Sequence, residues 1–352
     1  MSQDDELLAR LAERPFDRTL RLVFADWLMD QGDPRGEVIA LCGKGELSLT
    51  QRRRVQRLTE QHAAAWLGPL VTVADVSACR WEGGFLELLA VGAPPASAWE
   101  AVVGDPRLAS VRALQFSVLG EPHPAVPFLA HPVLRHVESL QQGAELLEAI
   151  GQQALAFTPR RLALLSWGTF DRELRVLERA QSMKSASRLD LITSEFINPI
   201  VARQVRDAVL GFRWALQHFD EIELVARYGV TEGAAAWLVR GHESRAAELP
   251  RVTRWGTVFR DVRYTLTRVG QRFPCLEIDL SGPDGSPVGL DVKVGDAASL
   301  LVLLKDAALS DVEIRLPPGA RLKRQERDVL RTAVRRLGTV GTFHLGDTPA
   351  LP

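Results

Sequence analysis

RLVFADWLMDQGDPRGEVIAL, residues Arg21 to Leu41, is the segment from which the rest of the chain is read. Leu20, Val23, Phe24, Trp27 and Leu28 recur at the three- and four-residue spacing that gathers one apolar stripe on a helix. Arg21, Asp26 and Asp30 fall outside that stripe. Gly32 follows as a residue able to end a helix in the left-handed conformation, and Asp33-Pro34 supplies a cap side chain and a pre-set φ for the next helix. Val38, Ile39 and Leu41 bring that second helix back against the first. Asp17 or Thr19 caps the first helix, and Pro15 separates it from a shorter one bearing Leu7, Leu8 and Leu11. The expectation is a compact helical module over residues 1–70. Its last helix runs from Leu49 to Leu67, opened by a Ser48-x-x-Gln51 capping box and closed by Gly68-Pro69.

The stretches RLVFADWL and GDPRGE, with Ile39 and Leu41 after them, resemble the bacterial repeat-companion domain. That small N-terminal helical module is named for standing beside repeat arrays such as leucine-rich repeats. The likeness covers roughly the first 45 residues, and WLGPL followed by WEGGFLE also resembles what comes next in such proteins. Cys42 stands where a glutamine is common. The resemblance implies company and architecture; it brings no reaction with it.

Downstream, apolar residues recur in the form Φ-x-x-Φ-x-x-Φ-x-Φ. The copies are Leu108, Val111, Leu114, Phe116; Pro159, Leu162, Leu165, Trp167; Met183, Ala186, Leu189, Leu191; and Leu216, Phe219, Ile222, Leu224. Leu134, Val137, Leu140 is a further copy with Gln142 in its fourth place. Starts lie about 24 to 26 residues apart, with one gap of about 33, close to the ~20–29 of leucine-rich repeats. Helical segments are expected between them at 144–156, 172–180 and 200–210. The asparagine that normally follows such strands is missing, so the array over 71–250 is read as irregular. Outward strand positions would be Gln115, Gln141, Ser166, Asp190 and Glu223, a polar row turning acidic towards its end and suited to a protein partner that is basic there.

From 251 to 352 the pattern alternates as in half-buried strands: Val262, Tyr264, Leu266; Leu276, Ile278, Leu280; Val288, Leu290, Val292, Val294. Gly282-Pro283-Asp284-Gly285 is read as the turn between the second and third of these, and Asp296 as the cap of a helix. A strand at Val312 to Leu316, a helix from about Leu322 to Leu337 and a strand near Val340 to Leu345 complete a β-β-β-α-β-α-β order. The predicted class is therefore α/β: an N-terminal helical module, an irregular leucine-rich-repeat-like solenoid, and a C-terminal α+β domain.

No pattern that carries chemistry stands out. Cys42-Gly43-Lys44-Gly45 lacks the hydroxyl and the upstream glycine of a phosphate loop. Cys42, Cys79 and Cys275 form no CxxC, and His131, His136 and His242 have no metal-ligand spacing. Asp30, Asp33 and Glu37 do not follow the calcium-loop order. Neither a cofactor nor a metal is expected. Glu277, Asp279 and Asp291 would share one sheet face, and they define the alternative reading, an enzyme or effector with an acidic site. Arg324, Arg327, Arg331 and Arg335 make a basic helical stripe, but a formal net charge of −1 and the lack of neighbouring aromatics argue against nucleic acid. The opening MSQDDELLAR is acidic where a signal peptide is basic and then apolar, and no apolar run approaches the ~18 residues of a membrane span. The expected protein is a non-catalytic cytoplasmic interaction scaffold or adaptor with no membrane partner.

Overall fold

The computed structural model describes residues 3–116, 125–166, 170–193, 218–226, 254–259, 262–269, 272–281, 289–304, 309–317, 319–337 and 342–345. The fold is mixed α/β, with a helical region at the N-terminus and mostly parallel strand pairing; of the nine described strand pairs, six are parallel. The chain forms two compact units, one of Met1–Leu162 with Arg179–Ala186, the other of Ala163–Glu178 with Ser187–Pro352.

The first unit opens with α1 (Gln3–Glu13), α2 (Arg18–Asp30), α3 (Pro34–Gly43) and α4 (Leu49–Leu67). Asp17 caps α2 by accepting from the Leu20 amide at 3.0 Å, and Asp33 caps α3 by accepting from the Arg35 amide at 2.8 Å. Gly32 takes a φ of 73°, the left-handed turn that reverses the chain between the two helices. The Ser48–Gln51 capping box is present in both directions. Leu20, Phe24 and Leu28 of α2 are buried with Leu7, Leu11, Ile39 and Phe85. Val23 is 49% exposed, so the buried stripe is narrower than the spacing suggests.

Two contacts explain why GDPRGE is written as it is. Gly36 lies so close to α2 that a Cβ there would stand 2.6 Å from the Ala25 carbonyl oxygen. Arg35 is buried, and its Nε donates to the Gly84 carbonyl at 2.7 Å. Its guanidinium lies 5.3 Å from the Phe85 ring centroid and 5.8 Å from that of Trp81. Burial pushes the group down to about 10, which still leaves it charged at neutral pH. The arginine thus ties the helical region to the hairpin of β1 (Arg80–Glu82) and β2 (Phe85–Val91) through the turn at Gly83-Gly84.

Strands β3 (Ala113–Phe116) and β4 (Ser139–Gln142) continue from β2 in parallel. A hydrogen-bond pattern recurs with them. The Val111, Val137 and Ala186 amides donate to the carbonyls of Leu108, Leu134 and Met183, closing a 3₁₀ turn ahead of each strand. The amides of Glu138 and Ser139 share the Arg112 carbonyl, those of Arg160 and Arg161 share that of Glu138, and those of Asp220 and Glu221 share that of Ser187. Those equivalences correct the third copy. It runs Ala156, Pro159, Leu162, Leu164, three residues earlier than its apolar spacing suggests. Proline lacks the amide that would close the 3₁₀ turn, and this disguises the frame. Ser166, at the end of β5 (Arg161–Ser166), shares the parity of Leu162 and Leu164 and is buried; it does not take the outward place assigned to it. Where described, the apolar repeat positions are buried except Ala156, which is half-buried, and Gln142 is buried with them. Helix α5 (Ala125–Leu129) and helix α6 (Ala144–Ile150) complete this unit, α6 ending at Gly151 rather than at 156.

In the second unit α7 (Asp171–Arg179) is followed by β6 (Arg188–Thr193), β7 (Glu221–Ala226) and β8 (Arg254–Phe259), paired in parallel. Strands β9 (Val262–Val269) and β10 (Arg272–Asp279) run antiparallel to their predecessors. Then come α8 (Leu290–Leu303), β11 (Asp311–Arg315), α9 (Arg324–Arg335) and β12 (Thr342–Leu345), with β10, β11 and β12 parallel. The β-β-β-α-β-α-β order holds, but its members have moved. Leu290 to Val294 is the first turn of α8, not a strand, and Asp296 lies buried within that helix instead of capping it. Gly289 at φ 69° starts the helix, and Val294, Ala297, Leu300, Leu301 and Leu304 supply its buried side. The expected turn at 282–285 and the expected helix at 200–210 lie outside the described residues. Among the described residues no helix is long and apolar enough to cross a membrane.

Candidate functional site

Strand alternation in the second unit sends Leu189, Ile222, Tyr264, Leu266, Leu276, Ile278, Val312 and Ile314 into the core. The residues between them meet on the other sheet face. Register sets Asp190 beside Glu223, Glu223 beside Gly256, Gly256 beside Thr265, Thr265 beside Glu277 and Glu277 beside Glu313. On one side of this row Arg188, Glu221 and Arg254 align; on the other, Arg263, Asp279 and Arg315. Like charges directly opposite one another destabilise a sheet, and here the flanking arginines offset them.

The ion pairs are specific. Arg188 reaches Asp190 at 2.9 Å, Glu221 at 3.4 Å and, closer still, Glu223. Arg263 holds Glu223 at 2.6 Å. Arg254 reaches Glu277 at 3.3 Å, Arg315 reaches it at 2.7 Å, and Arg315 also holds Glu313 at 2.8 Å. Burial works against the charge on Arg188, but Asp190, Glu223 and Glu221 together outweigh it and hold the guanidinium above its ordinary value. Arg315 is raised chiefly by its hydrogen bond to Glu313. Asp311, next to this face, is lowered by hydrogen bonds from Thr342 and Ser310.

Gly256 leaves a gap in the row, and a polar cavity of about 180 Å³ opens there, lined by four arginines together with Glu221, Glu223, Glu277 and Asp279. The side chains differ in access. Asp190 is sealed beneath Arg188, whereas Glu313 and Arg315 keep about half of their side-chain surface in solvent.

The structure therefore brings Asp190 and Glu223 together, with their carboxylates engaged by Arg188 rather than presented bare. Gln115 and Gln141 are in register on β3 and β4 and half-buried. Glu277 and Asp279 share a face as expected, but Asp291 is exposed in the first turn of α8, so the acidic trio does not sit on neighbouring strands. Asp279 instead accepts from the Ser281 amide at 2.9 Å.

Comparison with protein-family models, with curated proteins and with solved structures finds no match.

The arginines were missed in the sequence. Arg188-Leu-Asp190 and Glu313-Ile-Arg315 place opposite charges at i and i+2, hence on one face of a strand, and that signal was readable. Arg254 is hidden in the sequence because Gly256 interrupts the alternation that would mark β8 as a strand. Elsewhere, Glu37 is held by Arg54 at 2.8 and 2.9 Å, and Asp33 also accepts from Trp66 Nε1 at 3.2 Å, so these carboxylates serve the helical region. Among the described residues no group of three or more His, Cys, Asp or Glu is arranged to hold a metal ion.

Proposed function

We propose that this protein is a non-catalytic, cytoplasmic interaction scaffold or adaptor. In this reading the N-terminal helices are a repeat-companion module, the recurring turn-and-strand units are an irregular leucine-rich-repeat-like solenoid, and a protein partner is bound across the polar strand face. The observation that carries the reading is the charged row of β6 to β11, whose inner members are locked in ion pairs while Glu313 and Arg315 remain accessible. Locked side chains lose little entropy on binding, which suits a recognition surface. The partner's contact face would be of mixed charge.

The test exchanges two residues. Glu313→Arg with Arg315→Glu keeps their mutual pairing and the net charge but reverses the pattern shown to a partner. Affinity capture from the native cell with both forms should lose specific proteins on exchange; identical retained sets would reject this face as the binding site. A second reading, an enzyme with an acidic site, draws on Glu277 and Asp279 both lining the small cavity. A hydrolytic substrate screen in which Glu277→Gln abolishes a turnover seen with the parent chain would favour it.

A further inference from the structure

A second surface lies on α8 and α9, the helices that precede and follow β11 in the chain, and it differs from the charged strand row in chemistry. The two helices flank a groove of about 720 Å³. Its floor is made of small and branched apolar side chains, Ala298 and Val302 from α8 with Val329 and Ala333 from α9. Alanines allow another backbone to come close, and Val329 stands 43% exposed beside them, so the apolar lining is continuous across the two helices.

The rim differs sharply in charge. Arg324 and Arg336 line the two ends of the groove on α9. Of the seven basic side chains between Arg321 and Arg336 these two line the groove, and the whole segment holds two acidic ones in a chain whose formal net charge is −1. The acid within the groove, Asp328, reaches Arg324 and Arg331 only at 4.0 Å, and Arg324 is 95% exposed. Exposed pairs of that length contribute little, so the guanidiniums can turn to a ligand at small cost.

We infer that this groove docks an amphipathic helix of an acidic protein partner, with its apolar stripe on the alanine and valine floor and carboxylates at both ends. The geometry sets a length. Arg324 and Arg336 are separated by twelve helical positions, about 18 Å at the rise of an α-helix. The docked segment therefore needs acidic residues about three turns apart with apolar residues at three- and four-residue spacing between them. A nucleic acid would use the arginines alone, leaving the apolar floor without a role.

The test uses the full chain and a synthetic peptide of about 18 residues, leucine and alanine on one face and glutamates in its first and last turns, against a scrambled peptide of the same composition. Binding is read by fluorescence anisotropy. Ser299, exposed on the groove wall, is replaced in Ser299→Trp to fill the groove from outside the core. Arg324→Glu with Arg336→Glu reverses the rim. The expected result is binding of the patterned peptide to the parent chain, weakened about tenfold or more by each variant, with circular dichroism unchanged. Equal binding of the scrambled peptide, indifference to Ser299→Trp, or no binding of the patterned peptide overturns the inference. So does a 20-base-pair duplex that binds the parent chain and Ser299→Trp alike with steep salt dependence, since that would mark the helix as a phosphate-reading surface.

Discussion

Replacing Arg188 with methionine tests the charged face at its most buried point. The side chain is 27% exposed and pairs with Asp190, whose side chain is fully buried, and with Glu223, which is 6% exposed. Removing one partner of a buried ion pair costs about 3–5 kcal/mol, because the other charge stays behind without its counter-ion. Glu223 keeps Arg263 at 2.6 Å, which limits its share, so the expected loss is at the lower end, about 3 kcal/mol. For a unit of this size that corresponds to about 6–12 °C in Tm. Urea unfolding followed by far-UV circular dichroism should show a lower midpoint with an unchanged slope. Adding Asp190→Asn to Arg188→Met should recover about 1 kcal/mol or more, since the buried carboxylate charge that Arg188 balanced is then gone. A loss below about 1 kcal/mol, or a second substitution that only adds to the damage, would refute the claim that these groups are coupled.

Other consequences follow from particular contacts. Gly36→Ala should destabilise by about 1–3 kcal/mol in urea unfolding, because the new methyl meets the Ala25 carbonyl and α2 and α3 must part. Ser48→Ala should cost about 1 kcal/mol by removing the cap of α4. His136, packed edge-on against Phe16, is lowered by burial and then by Arg135 and Arg112. The unfolded chain therefore binds this proton more readily than the folded one, so stability is full above about pH 6.5 and falls as pH drops below it. His136→Phe should flatten that part of the stability–pH curve. Asp311 is lowered by its hydrogen bonds from Thr342 and Ser310, so its contribution is present above about pH 4 and is lost on further acidification. Asp311→Asn should remove that acid dependence.

The helical region was readable because its signals are local. A left-handed glycine, an aspartate cap and a capping box each act within a few residues, and all are found where the sequence places them. Arg35 was not readable, since its partner Gly84 lies 49 residues away. Valine and leucine alternate through residues 288–294, so that stretch fits a strand until Gly289 and the apolar spacing beyond it are weighed; only packing decides for α8. The third repeat slipped by three residues because Pro159 removes one of the hydrogen bonds that define the frame. Asp190 and Glu223 are legible as a row, but the arginines over them are not, because the register of β6 to β8 decides their partners.

Hydrogen–deuterium exchange on the parent chain, with and without a protein retained by affinity capture, locates the binding face. Binding at the charged strand face should slow exchange in β10 and β11, which carry Glu277, Glu313 and Arg315, and that protection should be lost when Glu313 and Arg315 are exchanged. Protection that falls elsewhere, with these strands unchanged, would contradict it.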